Sequence, residues 1–141
     1  MADLFENIGF TSGEIKNVSP REALQLCQKG AVLLDVRHEE LVAFKHFGVE
    51  NCIMLPSFDI DEHIKELVPE LYYVVADSVG IYSKEVCKLL LENGFPHVVN
   101  LAGGMVEWER DGMPVDVDVK ERLSGSCNCQ LKKRERPRDE K

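Results

Sequence analysis

Nowhere in these 141 residues does an apolar run approach the roughly 18 that a membrane-spanning helix needs, so no span is expected. The opening residues, Met1-Ala2-Asp3-Leu4-Phe5-Glu6, carry acids early, lack a basic region and lead into no continuous apolar stretch. They do not have the form of a secretory signal, and a cytoplasmic protein is expected. Positive charge is scarce: 17 Lys and Arg stand against 25 Asp and Glu, for a net charge of -8. The shortage is uneven, because residues 131–141 hold six bases and three acids and leave the preceding chain at -11. Phosphate backbones need an electropositive footprint, so nucleic acid is excluded as the main partner of so acidic a body. Five cysteines, an odd number without a signal, do not suggest a disulfide framework. No internal repeat is present, and no cofactor is expected.

What the chain does have is a globular composition, 44% hydrophobic and 30% charged, in a length suited to one domain. The expected organisation is an N-terminal arm over 1–16, a domain over 17–117 and a flexible tail over 118–141. Ser19-Pro20-Arg21-Glu22 is a capping-box start with proline at the first helical position; Ala23, Leu24 and Cys27 form the apolar side, and Gly30 ends the helix. Ala31–Val36 follows as a continuous apolar run of strand length, the pattern of a strand buried on both faces. Asn51–Pro56 forms a short second strand, and Asp59 with Glu62 starts a helix carrying Ile60, Ile64 and Leu67. Tyr72–Ala76 is a third strand, Ser83–Asn93 a helix closed by Gly94, and His97–Leu101 a fourth strand. A short helix bearing Trp108 then runs from Gly103-Gly104 to Gly112-Met113-Pro114. Strands alternating with helices imply an α/β fold with a mostly parallel sheet covered on both faces.

Several separated motifs resemble one family in the right order. Leu34-Asp35-Val36-Arg37 resembles the strand-ending LDVR of rhodanese-like domains. Gly94-Phe95, Val98, Gly103-Gly104, Trp108, Gly112 and Pro114-Val115 resemble that family's closing signature. The match spans about residues 17–115 and implies a single rhodanese-like domain. Asp35 and Arg37 are expected to form fixed hydrogen bonds or an ion pair at a strand end, and Trp108 to fill the core. Gly103 and Gly104 permit backbone angles or approaches closed to other residues. The family's histidine before the second strand is matched by His46 or by Gly48, depending on whether the histidine or Pro56 anchors the comparison.

In parallel α/β sheets, ligands sit beyond the carboxyl ends of the strands. The resemblance implies that an active rhodanese has a cysteine after the third of these strands, then four loop residues and usually a basic one before the helix. Inward-facing N–H groups there stabilise the thiolate that accepts a sulfane sulfur. Here the frame is Asp77-Ser78-Val79-Gly80-Ile81-Tyr82-Ser83. Asp77 has no sulfur to carry, and Tyr82 stands where a cation often helps to bind an anionic donor. A ring of N–H donors suits a carboxylate as it does a thiolate, so Asp77 is expected to fill the old cradle. A nucleophilic aspartate forming an acyl-phosphate would need a magnesium-binding acid cluster or a phosphate-binding lysine, and neither is evident in the sequence.

The reading that follows is a rhodanese-like module without thiosulfate sulfurtransferase activity, binding a protein or a small molecule at the loop. The alternative rests on Cys127 and Cys129, one residue apart and followed by Lys132, Lys133 and Arg134, as a sulfur-relay, redox or metal-binding pair. Two thiolates alone do not complete a tetrahedral zinc site. Cys27, Cys52 and Cys87 are expected to be small buried hydrophobes. The oligomeric state is left open.

Overall fold

The computed structural model describes residue 5 and residues 8–55 and 60–117. In chain order the elements are β1 (Phe10–Ser12), β2 (Ile15–Val18), α1 (Pro20–Gln28), β3 (Val32–Asp35), α2 (Glu39–Phe44), β4 (Lys45–Phe47) and β5 (Cys52–Met54). They continue with α3 (Ile60–His63) and a 3-10 turn (Ile64–Glu66), β6 (Tyr73–Ala76), α4 (Tyr82–Glu92), β7 (Val98–Leu101), α5 (Gly104–Arg110) and β8 (Val115–Val117). Six strands form one sheet in the order β1-β2-β7-β6-β3-β5, parallel throughout except for β1, which runs antiparallel to β2. This is the expected α/β architecture.

Alternation along the central strands divides the core in two. Leu33, Val74, Ala76, Val99 and Leu101 face one side, where α1 contributes Ala23 and Leu26 and α5 contributes Met105 and Trp108. Leu34, Tyr73, Val75 and Val98 face the other, against Val86, Cys87 and Leu90 of α4 and against Ile64 and Leu67 of the 3-10 turn region. The α1 capping box forms with both bonds: Ser19 Oγ accepts from Glu22 N–H at 3.2 Å, and Glu22 Oε1 accepts from Ser19 N–H at 2.9 Å. Trp108 is fully buried, meets the Phe47 ring edge-on at 5.2 Å, and its Nε1–H donates to the Pro114 carbonyl at 2.6 Å.

Five elements go beyond the sequence expectation. Within the stretch expected as an N-terminal arm and just beyond it, residues 10–12 and 15–18 form a hairpin, and Asn17 and Val18 pair with Asn100 and Leu101. Strands β4 and β8 make a separate antiparallel pair, Lys45–Phe47 against Val115–Val117, and α2 precedes it. Each of these strands has only three or four residues, too few for periodicity to stand out, and is fixed by its partner. The helix expected after Asp59 is one turn that tightens into 3-10 geometry; Asp59 and Pro56 lie outside the described residues. Cys27 and Cys87 are buried as expected, whereas Cys52 is only partly buried because its strand is the sheet edge.

At the end of β3, Asp35 and Arg37 form the expected pair. Arg37 Nε and Nη2 donate to the Asp35 carboxylate at 3.0 and 2.9 Å, and Nη2 also reaches the Lys45 carbonyl at 2.7 Å. The two side chains are 0% and 4% exposed, so removing one partner leaves a buried charge uncompensated. We expect Arg37→Met to lower stability in urea unfolding by about 3–5 kcal/mol; a loss below about 1 kcal/mol would contradict this role for the pair.

Candidate functional site

The carboxyl end of β6 opens into residues 77–81, and α4 begins at Tyr82. The first N–H groups of a helix have no acceptor within it. Ile81, at the N-cap, supplies none from its side chain. Asp77 supplies it from five residues upstream: Oδ2 accepts from the N–H groups of Tyr82 at 2.9 Å and Ser83 at 3.2 Å, and Oδ1 accepts from Gly80 N–H. The carboxylate, only 6% exposed, is thus encircled by its own loop and faces the positive end of an eleven-residue helix.

The loop is held from the other side by α5. Its early N–H groups donate outward, Met105 to the Asp77 carbonyl at 2.9 Å and Val106 to the Ser78 carbonyl at 3.1 Å. Such close docking explains the glycines. A Cβ on Gly104 would fall 2.5 Å from the Asp77 carbonyl oxygen, and one on Gly80, at φ +87°, would fall 2.8 Å from Gly103 N. The Gly-Gly motif therefore forms the floor on which residues 77–80 rest.

Two residues that support the loop escaped the sequence reading. Asn100 of β7 gives its amide hydrogens to Asn17 Oδ1 at 2.8 Å and to the Gly80 carbonyl at 3.3 Å. Its oxygen accepts from Ser83 Oγ, which also lies 3.3 Å from Asp77 Oδ1. Asn17 completes the chain by donating to the Ile15 carbonyl at 3.2 Å. All four side chains are buried, and buried polar groups persist where their hydrogen bonds are met. The available signal was one Asn inside each of two strands otherwise apolar or short.

Beside the loop lies an open depression of about 450 Å³, bordered by Val36, His38, Leu41, Ser78 and Tyr82 as well as Asp77 and Arg37. Val79 and Ile81 project from the loop, 52% and 68% exposed. Burial pushes the Tyr82 hydroxyl above its ordinary pKa, and the carboxylates of Glu85, Asp61 and Asp77 add to the shift. The rim thus joins exposed apolar side chains to carboxylates that act on Tyr82, with Arg37 and His38 also bordering the depression. The histidine beside the loop is His38; His46 lies in β4, and Gly48 packs on Pro114.

None of the described cysteines has the surroundings of a nucleophile. Burial pushes the Cys27 thiol up to about 12, and burial with help from Asp35 and Cys27 does the same for Cys52, against the lowering influence of Arg37. Cys87 is raised by burial and by Asp77. Cys127 and Cys129 lie outside the described residues.

Three kinds of comparison agree on the relatives. The family model described as Rhodanese-like domain matches residues 19–111. The thiosulfate sulfurtransferase GlpE of Haemophilus influenzae is 27% identical over 105 residues, covering 72% of this chain and 94% of that protein. GlpE of Actinobacillus pleuropneumoniae is 29% identical over 100 residues, covering 70% and 91%. Among solved structures, the polysulfide-sulfur transferase homodimer of Wolinella succinogenes superposes with a TM-score of 0.65 at 26% identity, covering 72% of this chain and 78% of that one. A full-length protein from Lactobacillus plantarum gives 0.61 at 28% identity, covering 72% and 88%.

The geometry makes a sharp demand on position 77. An amide there would set its NH2 against an N–H whichever way it turned. We expect Asp77→Asn to destabilise the protein about as much as Asp77→Ala, each by about 2–4 kcal/mol in urea unfolding. An Asn variant as stable as the wild type would show that the N–H groups do not depend on the carboxylate.

Proposed function

The chain belongs to the rhodanese-like domain family, and from that membership we propose that it is a binding module in which the sulfur-transfer loop survives without its nucleophile. One observation carries the reading: the Asp77 carboxylate occupies the ring of N–H groups that, in a sulfurtransferase of this fold, would surround a thiolate. Relatives named as thiosulfate sulfurtransferases set the expectation of a persulfide, and a carboxylate oxygen can neither form nor pass one on. Tyr82 adds no positive charge for an anionic donor. The loop then serves as a rigid platform. The exposed Val79 and Ile81, flanked by carboxylates near Tyr82, suit a protein partner presenting apolar side chains beside basic ones.

A second reading, sulfur relay through Cys127 and Cys129, draws support from the raised thiols of Cys27, Cys52 and Cys87, which leave the tail pair as the remaining candidates. Thiosulfate-to-cyanide sulfur transfer separates the two. We expect no turnover by the wild type or by a Cys127→Ser/Cys129→Ser variant, and uptake of one sulfur atom from thiosulfate by Asp77→Cys, read by intact mass. Wild-type turnover that disappears in the double serine variant would replace the binding-module reading with the relay.

A further inference from the structure

A larger cavity, of about 630 Å³, lies away from the loop, among α2, β4, β5 and β8. Val42, Phe47, Val49 and Met54 make its walls largely apolar. Two polar groups in those walls have hydrogen-bonding capacity that no described residue uses. The Arg37 side chain is 4% exposed; its Nε and Nη2 are committed to Asp35 and the Lys45 carbonyl, and its guanidinium lies 5.2 Å from the centre of the Phe47 ring. Nη1 has no hydrogen-bond partner among the described residues. A buried donor left without an acceptor is costly, so this edge of the guanidinium calls for one. His46 supplies the complementary group. Its Nδ1 lies 3.2 Å from the Val42 carbonyl oxygen, which can only accept, so Nδ1 carries the hydrogen. In the neutral ring Nε2 is then an acceptor, likewise unpartnered among the described residues.

Charge selects among the molecules that a donor and an acceptor on apolar walls would suit. Arg37 is neutralised by Asp35, and Lys45 is paired with Glu109 at 2.7 Å. Glu50 and Asp116, both exposed and bordering the cavity, have no ion-pair partner among the described residues. The local excess is negative, which disfavours a carboxylate or phosphate ligand despite the arginine. We propose that this cavity binds a neutral, largely apolar molecule bearing a carboxamide. The carbonyl accepts from Arg37 Nη1, and the amide N–H donates to His46 Nε2. A mostly apolar concavity with a few convergent polar groups is the usual form of a small-molecule site. The site is independent of the loop reading, although Arg37 also borders the loop depression.

Benzamide and benzoate, similar in shape and different in charge, test the proposal in titrations of the isotope-labelled chain followed by backbone-amide NMR. Benzamide is expected to give saturable shifts centred on residues 42–54, with benzoate at least about tenfold weaker. Ala43→Trp, at an exposed position on the cavity wall, is expected to abolish binding, and His46→Phe, which keeps a ring, to weaken it about fivefold to tenfold, the scale of one hydrogen bond. Benzoate binding as tightly as benzamide, shifts centred on residues 77–83, or no saturable shift by benzamide would overturn it. Should Ala43→Trp lose the dispersed spectrum of a folded chain, the wild-type pair and His46→Phe still decide the matter.

Discussion

The N–H groups at the start of α4 need an acceptor, and a single carboxylate provides it. Hydrogen bonds to a charged acceptor contribute about 1.5–3 kcal/mol each, more than neutral ones, and here three backbone donors converge on Asp77. The turn of residues 77–81 takes its shape from that convergence. Gly80 has a positive φ and gives its N–H to Asp77, and the backbone carbonyls of Asp77 and Ser78 meet the N–H groups of α5. Gly104 is excluded from having a side chain by the same contact. The ends of two helices and the carboxyl end of one strand are thus tied to a single side chain.

Beneath the loop, the polar chain Asn17–Asn100–Ser83 extends the arrangement across the sheet to β2. It crosses a core that is apolar on both faces, and it is tolerated because each side chain finds partners. The Asp35–Arg37 pair at the neighbouring strand end is equally buried, and its Arg37 lies between the loop depression and the larger cavity. Polar groups at the carboxyl edge of the sheet therefore organise both candidate sites, while the apolar layers hold the helices to the strands. Nothing in the loop supplies a thiol, and the described thiols elsewhere are held neutral by burial.

How much of this was legible depended on segment length and on whether a residue's partner was local. Ala31–Val36, Tyr72–Ala76 and His97–Leu101 were recognisable because strands buried on both faces have few polar interruptions. Ser19 and Glu22 could be paired because both bonds of a capping box lie within one turn. Asp77 could be placed because its backbone donors lie within six residues of it. The Ile15–Val18 strand was missed because Lys16 and Asn17 interrupt it and its support comes from β7, more than 80 residues away in sequence. The same distance hid Asn100, whose role exists only once Asn17, Ser83 and Gly80 are brought together. The cavity holding His46 was equally out of reach, since β4 is defined by pairing with β8.

The Asp77 side chain, and not water or a ligand, receives the loop's N–H groups. Couplings transmitted through hydrogen bonds test it most directly, measured by NMR between the backbone nitrogens of Gly80, Tyr82 and Ser83 and the side-chain carboxyl carbon of Asp77. Correlations are expected from these nitrogens to that one carbon, together with slow exchange of the three amide protons. Absence of the correlations, with the three protons exchanging as in an unfolded chain, would contradict it.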